Sequence, residues 1–292
     1  MTPKTPNTSS SVDDSRIMVY VMPGSQFSAK VIVALDSLKD DDGILVPYYL
    51  SFVSFDPKKR RSELPSGGRM VPEMKVPIDG EEPAIVVDSE KILHWLDDHK
   101  GTAFFPKDQP MASELSSRAS SKRLAASVWY YNWVDAEGYR NSMRKSISKQ
   151  MFPSWLSPVS GIVVDLFTKS TRNDFRKQVA KTLDIEVNDR ILDDEPKMRE
   201  ALVEELRYFQ SFLGKTADQK YLLTKDTPTA ADFSVYVQVE RLVGTTGDAN
   251  VYCSMPDLKQ ETATDLGEFW KWHELMTKSH PIVFKGKRMP PK

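Results

Sequence analysis

Strand-like segments are confined to the first third of this sequence, and helical patterns fill the remainder. Residues 17–22 and 44–55 are short, apolar and partly β-branched, which predicts two strands. Between them, apolar residues recur three or four positions apart from Phe27 to Leu38, which predicts an amphipathic helix ended by residues 40–43. A β-α-β order favours a parallel pair of strands joined by a right-handed crossover.

Two further strands and a helix follow along the chain. Asp79-Gly80 separates the apolar runs at residues 73–78 and 84–87, and this dipeptide is a strong hairpin signal. Residues 90–99 carry one apolar face and are predicted to be helical. Ser89, directly before them, is the expected N-cap.

The order β-α-β-β-β-α is that of a thioredoxin-like α/β domain, which we place at residues 16–100. Within it, residues 56–70 are polar and rich in turn formers, so they are predicted to form a loop. Residues 1–15 are polar and lack the apolar core of a secretory signal. They are predicted to be a disordered tail, because they offer too little apolar surface to offset chain entropy.

Helical patterns predict an all-α second domain at residues 113–282, joined to the first by a linker at residues 101–112. Thr229 and Asp232 stand at the N-cap and N3 positions of a capping box, which marks the start of a helix that is apolar on most sides. Residues 283–292 are predicted to be a basic tail. The other main predicted helices lie at residues 114–137, 172–193, 196–213 and 266–277.

Composition excludes several classes of function. Lys and Arg number 40 and Asp and Glu number 41, so the net charge of −1 predicts no nucleic-acid partner. The longest apolar runs are too short for a membrane span. One cysteine allows no internal disulfide and no CxxC pair, and the 4 histidines show no metal-ligand spacing. We therefore expect a cytoplasmic protein without a bound metal.

Four short motifs occur in a characteristic order. Residues 25–31 (SQFSAKV) resemble the Ser-Pro-Phe-Ser-x-Arg-Val segment that opens the first helix of serine-type glutathione transferases. Residues 70–74 (MVPEM) resemble that family's Val-cisPro-x-Leu segment, and Asp88-Ser89 resembles its Glu/Gln-Ser pair. Residues 222–233 (LLTKDTPTAADF) resemble the capping motif of its helical domain. The resemblance to the glutathione transferase superfamily covers about residues 17–245.

This resemblance implies glutathione as co-substrate, with Ser25 as the catalytic residue. A free thiol has a pKa of about 8.5, so an enzyme must stabilise the thiolate. Ser25 follows a strand and opens a helix, where its hydroxyl can donate to sulfur beside the positive end of the helix dipole. An ordinary N-cap is the alternative role of Ser25, and Tyr20 is the alternative donor. The glutathione-binding residues that the resemblance implies are Ser25, Phe27, Val71, Pro72, Asp88 and Ser89.

The resemblance implies a role for four of the other binding residues. Val71 offers its backbone N–H and C=O to the cysteinyl group, and a cis-Pro72 presents them. Val76-Pro77 has the same form and is the alternative site, although the strand that starts at Glu73 favours Val71-Pro72. Asp88 and Ser89 meet the γ-glutamyl end of glutathione at a helix N-terminus.

The second substrate implied by the resemblance is a small electrophile, bound between the domains. Trp129, Tyr130 and Trp133 are candidates for the wall of the electrophile site. Their alternative role is packing in the core of the helical domain. The reaction can be conjugation in detoxification, ether cleavage or dehalogenation, since all three use the same residues. A homodimer is expected from the family alone.

Some positions depart from the family pattern. Gln26 replaces the usual proline, Lys30 the usual arginine, and Glu73 brings a charge to a position that is often apolar. Residues 172–193 resemble the metaxin and failed-axon-connections type of protein, so a non-catalytic binding or scaffold protein is the alternative function. A thiol-disulfide oxidoreductase is disfavoured, because position 25 is serine and Cys253 lies far along the chain.

Overall fold

The computed structural model describes most of the chain and places it in two packed layers. The predicted tail at residues 1–15, the predicted helix end at residues 40–43 and Asp79 of the predicted hairpin lie outside the described residues. The described residues are 16–38, 47–78, 80–152, 157–216, 218–244, 253–284 and 287–288.

A mixed sheet with three helices forms the N-terminal layer. The strands have the order β4-β3-β1-β2-β5. β1 is parallel to β2 and antiparallel to β3, which confirms the predicted β-α-β pair and the thioredoxin-like order. The elements are β1 (Ile17–Val21), α1 (Gln26–Asp36), β2 (Tyr48–Phe52), α2 (Pro57–Glu63), β3 (Glu73–Val76), β4 (Ala84–Val87), α3 (Ser89–Lys100) and β5 (Lys287–Arg288).

Between residues 111 and 279, the described residues form helices and the turns that join them, with no strand. Two π-helical segments, Tyr130–Val134 and Arg140–Arg144, and a 3-10 turn, Arg190–Asp193, interrupt the α-helices. The helices are α4 (Met111–Ser121), α5 (Arg123–Trp129), α6 (Ala136–Tyr139), α7 (Lys145–Met151), α8 (Ser157–Leu183), α9 (Glu195–Gln210), α10 (Ala230–Val243), α11 (Leu258–Thr262) and α12 (Gly267–Ser279).

Helix α10 is the centre of the helical domain, and all its residues are buried. Asp232 at its N3 position accepts hydrogen bonds from the Thr229 N–H and hydroxyl, both at 2.9 Å, so the predicted cap is confirmed. The same carboxylate accepts from the Leu222 N–H at 2.8 Å and the Trp272 Nε1–H at 2.9 Å. Burial raises the pKa of Asp232, while these four hydrogen bonds lower it.

Three predictions about local structure are wrong. Residues 57–63 of the predicted loop form α2, which begins at the N-cap Asp56 with Pro57 in its first turn. The predicted helix at residues 114–137 is broken at Lys122, whose backbone leaves the helical region at φ −118°, ψ −144°. The apolar pattern continues across this break, because α5 buries every residue from Leu124 to Val128. The predicted helix at residues 172–193 is instead the end of α8, which stops at Leu183.

The end of the chain also differs from its prediction. Lys287 and Arg288, assigned to a basic tail, pair with Tyr49 and Leu50 at the edge of the sheet. In the described part of the chain, no helix has the length and apolar character needed to cross a bilayer.

Candidate functional site

The sheet brings three turns together at one end. Tyr20 in β1 lies opposite Glu73 in β3, and Glu73 lies opposite Val87 in β4. The chain therefore leaves β1, enters β3 and leaves β4 at the same end of the sheet. The N–H of Asp88 donates to the carbonyl oxygen of Pro72 at 3.2 Å, which joins two of these turns directly.

Ser25 occupies the first turn and is the N-cap of α1. Its N–H donates to the Met22 carbonyl at 3.0 Å, and its Oγ accepts from the Ser28 N–H at 3.3 Å. The hydroxyl oxygen is thus used as an acceptor, and its proton remains available to a ligand. Gly24 precedes it with φ 81°, a conformation that glycine adopts without strain. Ser25 is 7% exposed, so a bound partner would be largely shielded from water.

Val71 and Pro72 form the second turn, and the peptide bond between them is cis. This agrees with the register expected from the length of β3, while Val76 of the alternative pair is the last residue of that strand. Among the described residues, the N–H and C=O of Val71 have no hydrogen-bonding partner. The turn therefore offers one backbone donor and one backbone acceptor.

Asp88 and Ser89 form the third turn, and here the predicted cap is wrong by one residue. Asp88 is the N-cap of α3, and its Oδ1 accepts from the N–H groups of Glu90 at 2.9 Å and Lys91 at 3.4 Å. Asp and Ser cap helices equally well, so the sequence alone could not distinguish them. Asp88 has φ 92°, a strained value for a residue with a Cβ. Ser89 becomes the first helical residue and is 3% exposed.

A buried polar cluster behind these turns connects the two domains. The Lys30 ammonium on α1 forms an ion pair with Glu90 on α3 and donates to Ser116 Oγ on α4 at 3.0 Å. Ser116 and Ser234 on α10 share a hydrogen bond of 2.7 Å. Lys30 is 1% exposed, and burial lowers the pKa of its amine against the attraction of Glu90. Sequence reasoning noted Lys30 only as a departure from a pattern and missed this cluster.

Glu73 is the second departure with a structural explanation. It is fully buried at the start of β3, where it accepts from the Ser66 N–H at 3.0 Å and from the Ser66 hydroxyl. The carboxylate thus anchors the preceding loop beside the candidate site. Burial raises the pKa of Tyr20 on the adjacent strand, and the negative charge of Glu73 raises it further. Tyr20 therefore holds its proton more tightly than an ordinary tyrosine.

Helix α2 follows β2 at the same end of the sheet, and its arginines support the neighbouring backbone. Arg60 Nε donates to the Ser54 carbonyl at 2.9 Å, and Arg61 Nε donates to the Gly67 carbonyl at 3.0 Å. Lys58 and Lys59 are exposed. Residues 58–61 (KKRR) are thus partly structural, because the two arginines hold neighbouring backbone carbonyls.

The aromatic residues suggested for the electrophile pack within the helical domain. Tyr130 is 2% exposed, and the rings of Trp129 and Trp133 lie 6.4 and 4.7 Å from that of Phe175. In the described residues, no hydrogen bond or ring contact joins them to the three turns. Trp133 borders a cavity of about 400 Å³, whose lining residues are Trp133, Val134, Asp165, Lys169, Arg172, Asn173 and Arg176.

The structure thus brings together five of the six residues implied to bind glutathione: Ser25, Val71, Pro72, Asp88 and Ser89. Phe27 lies in the first turn of α1 and is half-buried, one residue beyond the buried Gln26. Within the described residues, the site combines two groups that lack a protein partner, the Ser25 hydroxyl proton and the Val71 backbone amide, with the N-terminus of α3. These are groups that bind a thiolate, a peptide bond and a carboxylate.

Comparisons with known proteins identify the fold. No protein-family model and no curated protein sequence matches this chain. Among solved structures, glutathione transferase GSTFuA2 from Phanerochaete chrysosporium is 16% identical, with a TM-score of 0.55 over 92% of this chain and 99% of the other. FzlA from C. crescentus is also 16% identical, with a TM-score of 0.52 over 91% of this chain and 89% of the other.

A third structure is a glutathione transferase family member from Pseudomonas fluorescens pf-5, solved with two glutathione bound. It is 14% identical, with a TM-score of 0.50 over 94% of this chain and 93% of the other. These matches extend over both layers of the molecule. The chain therefore has the glutathione transferase fold, with a thioredoxin-like N-terminal domain and a helical C-terminal domain.

Proposed function

We propose that this protein is a glutathione-dependent transferase in which the Ser25 hydroxyl stabilises the glutathione thiolate. The observation that carries the proposal is the hydrogen bonding of Ser25. Its oxygen accepts from the Ser28 N–H at 3.3 Å, so its proton can be donated to a ligand sulfur at the start of α1. The thiolate then attacks a small electrophile, forming a sulfur–carbon bond while the leaving group departs with its electron pair.

The required energy is within reach of these groups. Lowering a thiol pKa from about 8.5 by one to two units needs about 1.4–2.8 kcal/mol of thiolate stabilisation. A hydrogen bond to a charged group contributes about 1.5–3 kcal/mol, and a helix N-terminus adds about 0.3–1 kcal/mol. The Ser25 hydroxyl and the amino end of α1 supply both contributions at one point.

The remaining turns support binding of the rest of the tripeptide. The unpaired N–H and C=O of Val71 suit the cysteinyl amide, as an added strand pairs with a sheet edge. Ser89 and the first N–H groups of α3 suit the γ-glutamyl carboxylate. Asp88 uses Oδ1 to cap α3, which leaves Oδ2 for the α-ammonium group. The glutathione bound by the Pseudomonas neighbour, which has the same fold, also favours this ligand.

The test compares Ser25→Ala with Ser37→Ala, which removes a hydroxyl from the other end of the same helix. We expect Ser25→Ala to lower conjugation of a generic aryl halide at least ten-fold, about 1.4 kcal/mol, and to raise the pH at which the bound thiol ionises. Ser37→Ala should match the wild type in both measurements. Unchanged turnover and ionisation in Ser25→Ala would refute the role of Ser25.

Calorimetric titration with glutathione separates the enzyme from its alternatives. Binding with a shifted thiol ionisation supports the proposal, even before the natural electrophile is known. Binding without turnover of any electrophile indicates a non-catalytic glutathione-binding protein. No measurable binding indicates a scaffold that retains only the fold. The involvement of Trp129, Tyr130 and Trp133 in electrophile binding, the reaction subtype and a homodimer remain predictions.

A further inference from the structure

The cavity beside Trp133 belongs entirely to the helical domain and has a strongly polar side. That side is formed by one face of α8, because its residues follow one another in steps of three or four, apart from the adjacent pair Arg172 and Asn173. Trp133 and Val134, from the first π-helical segment, form the facing wall. The α8 residues are Asp165, Lys169, Arg172, Asn173 and Arg176.

Arg172 is held in a fixed position within this cavity. Its Nε donates to the Trp133 carbonyl at 2.9 Å and its Nη2 to the Val134 carbonyl at 3.2 Å. These carbonyls end a helical segment, where backbone acceptors lack partners in the helix itself. The guanidinium also lies 4.3 Å above the centre of the Tyr139 ring. In the part of the chain that the structure describes, Arg172 Nη1 has no hydrogen-bonding partner, and the two bonds from Nε and Nη2 hold the guanidinium at the cavity lining.

The charge of the lining favours an anion. It contains three cations and one carboxylate, a net of two positive charges. Arg176 pairs with Asp193 and Asp165 pairs with Arg144, so including both partners leaves the net charge unchanged. Lys169 is exposed and makes no ion pair with any described residue. The cavity thus presents Lys169, the free edge of Arg172 and the Asn173 amide as donors, without a matching set of acceptors.

The wall opposite these donors is a flat aromatic surface. The Trp133 ring stacks on Phe175 with centroids 4.7 Å apart and planes 11° apart, so its orientation is fixed. Phe175 covers one face of the indole, so a ligand ring can offset-stack only on the other face. The cavity volume of about 400 Å³ suits a small molecule with one or two rings.

We propose that this cavity is a second ligand site, which binds a phosphate monoester attached to a planar ring. The ring stacks on Trp133, and the phosphate accepts hydrogen bonds from Lys169, Arg172 and Asn173. A phosphate has three terminal oxygens for these three donors, and its charge of nearly −2 matches the net charge of the lining. Arginine is well suited to such an oxyanion, because its planar fork presents parallel donors.

The experiment is calorimetric titration of the full chain with phenyl phosphate and with adenosine monophosphate, since the ring can come from either class. Binding of either supports the site, and the tighter ligand identifies the class. Lys169→Ala should weaken binding about five-fold, as loss of one exposed charge pair does. Lys181→Ala removes an exposed lysine from the same helix outside the cavity and should leave binding unchanged. Equal affinities in these two variants would overturn the proposal.

Further variants and a competition measurement test each half of the ligand and the position of the site. Trp133→Leu should reduce phenyl phosphate to the affinity of inorganic phosphate, and Trp133→Phe should restore most of the difference. If inorganic phosphate binds the wild type as tightly as phenyl phosphate does, the aromatic half of the proposal is wrong. Ser25→Ala should bind phenyl phosphate normally, and saturating glutathione should not compete. Competition would place the phosphate at the glutathione turns and overturn a separate site, whereas failure of glutathione binding itself would leave this result unaffected.

Discussion

Replacing Glu90 by Gln tests whether the buried cluster between the domains is held by charge. Lys30 is 1% exposed, whereas the Glu90 side chain is 27% exposed, so the two partners differ in what their loss leaves behind. Glu90→Gln leaves a fully buried ammonium without its counterion. Breaking a buried ion pair costs about 3–5 kcal/mol, and the retained amide oxygen places this variant near 3 kcal/mol.

The reverse substitution should cost less. Lys30→Met leaves a carboxylate on a side chain that is 27% exposed and that still accepts from the Ser116 hydroxyl at 3.1 Å, so we expect a loss of about 1–2 kcal/mol. The double variant removes both charges and fills a similar volume. Buried ion pairs are often replaced by uncharged side chains at little cost, so it should lie within about 1 kcal/mol of the wild type.

The pH dependence of the free energy of unfolding tests independently whether the loss in Glu90→Gln comes from the charge of Lys30. Burial lowers the pKa of Lys30 in the folded state below its ordinary value, and loss of Glu90 lowers it further. Between the folded and the unfolded pKa, the unfolded chain binds more protons, so stability rises with pH. The deficit of Glu90→Gln should therefore shrink in urea unfolding as the pH rises from neutral toward the ordinary lysine pKa of about 10.4. A deficit that grows with pH, or one below about 1 kcal/mol, would refute the argument.

Two more outcomes follow from single residues. Asp232→Ala removes a buried carboxylate that accepts four hydrogen bonds. It should lower the free energy of unfolding by about 3–5 kcal/mol in urea titration. A loss below about 1 kcal/mol would mean that water replaces those hydrogen bonds. Asp88→Gly relieves the positive φ but removes the cap, so stability should stay within about 1 kcal/mol. Its glutathione affinity, measured by calorimetry, should nevertheless fall about ten-fold, and an unchanged affinity would remove Asp88 from the proposed site.

The parts of the fold that were predictable depend on local chemistry. The strands around α1, the cap at Thr229 and Asp232, and the turn at Val71-Pro72 are each specified by residues within a few positions of one another. Helix α2 was missed because seven mostly charged residues show no apolar period, although Asp56 before Pro57 carries a start signal. A pattern of apolar residues therefore predicts helices that pack on a core, but it does not predict short, mostly charged helices such as α2.

The parts that were not predictable depend on distant partners. Lys30 finds Glu90 and Ser116 at separations of 60 and 86 residues, so its burial cannot be read from its neighbours. The π-helical end at Trp133 is satisfied by Arg172, 39 residues later. The role of the Ser25 hydroxyl could be predicted from the neighbouring sequence. At Trp133 the sequence indicated only an aromatic residue, because its surroundings depend on the packing of α8.

The last described strand has a consequence for the order of synthesis. β5 lies beside β2, so one edge of the sheet is completed by residues 287 and 288. These residues leave the ribosome after the whole helical domain. A nascent chain that has emerged only as far as residue 100 holds the three candidate turns but exposes the open side of β2. That edge is a pairing template for other chains until the C-terminal residues arrive. The sheet edge at β2 is therefore unpaired throughout the synthesis of the second domain.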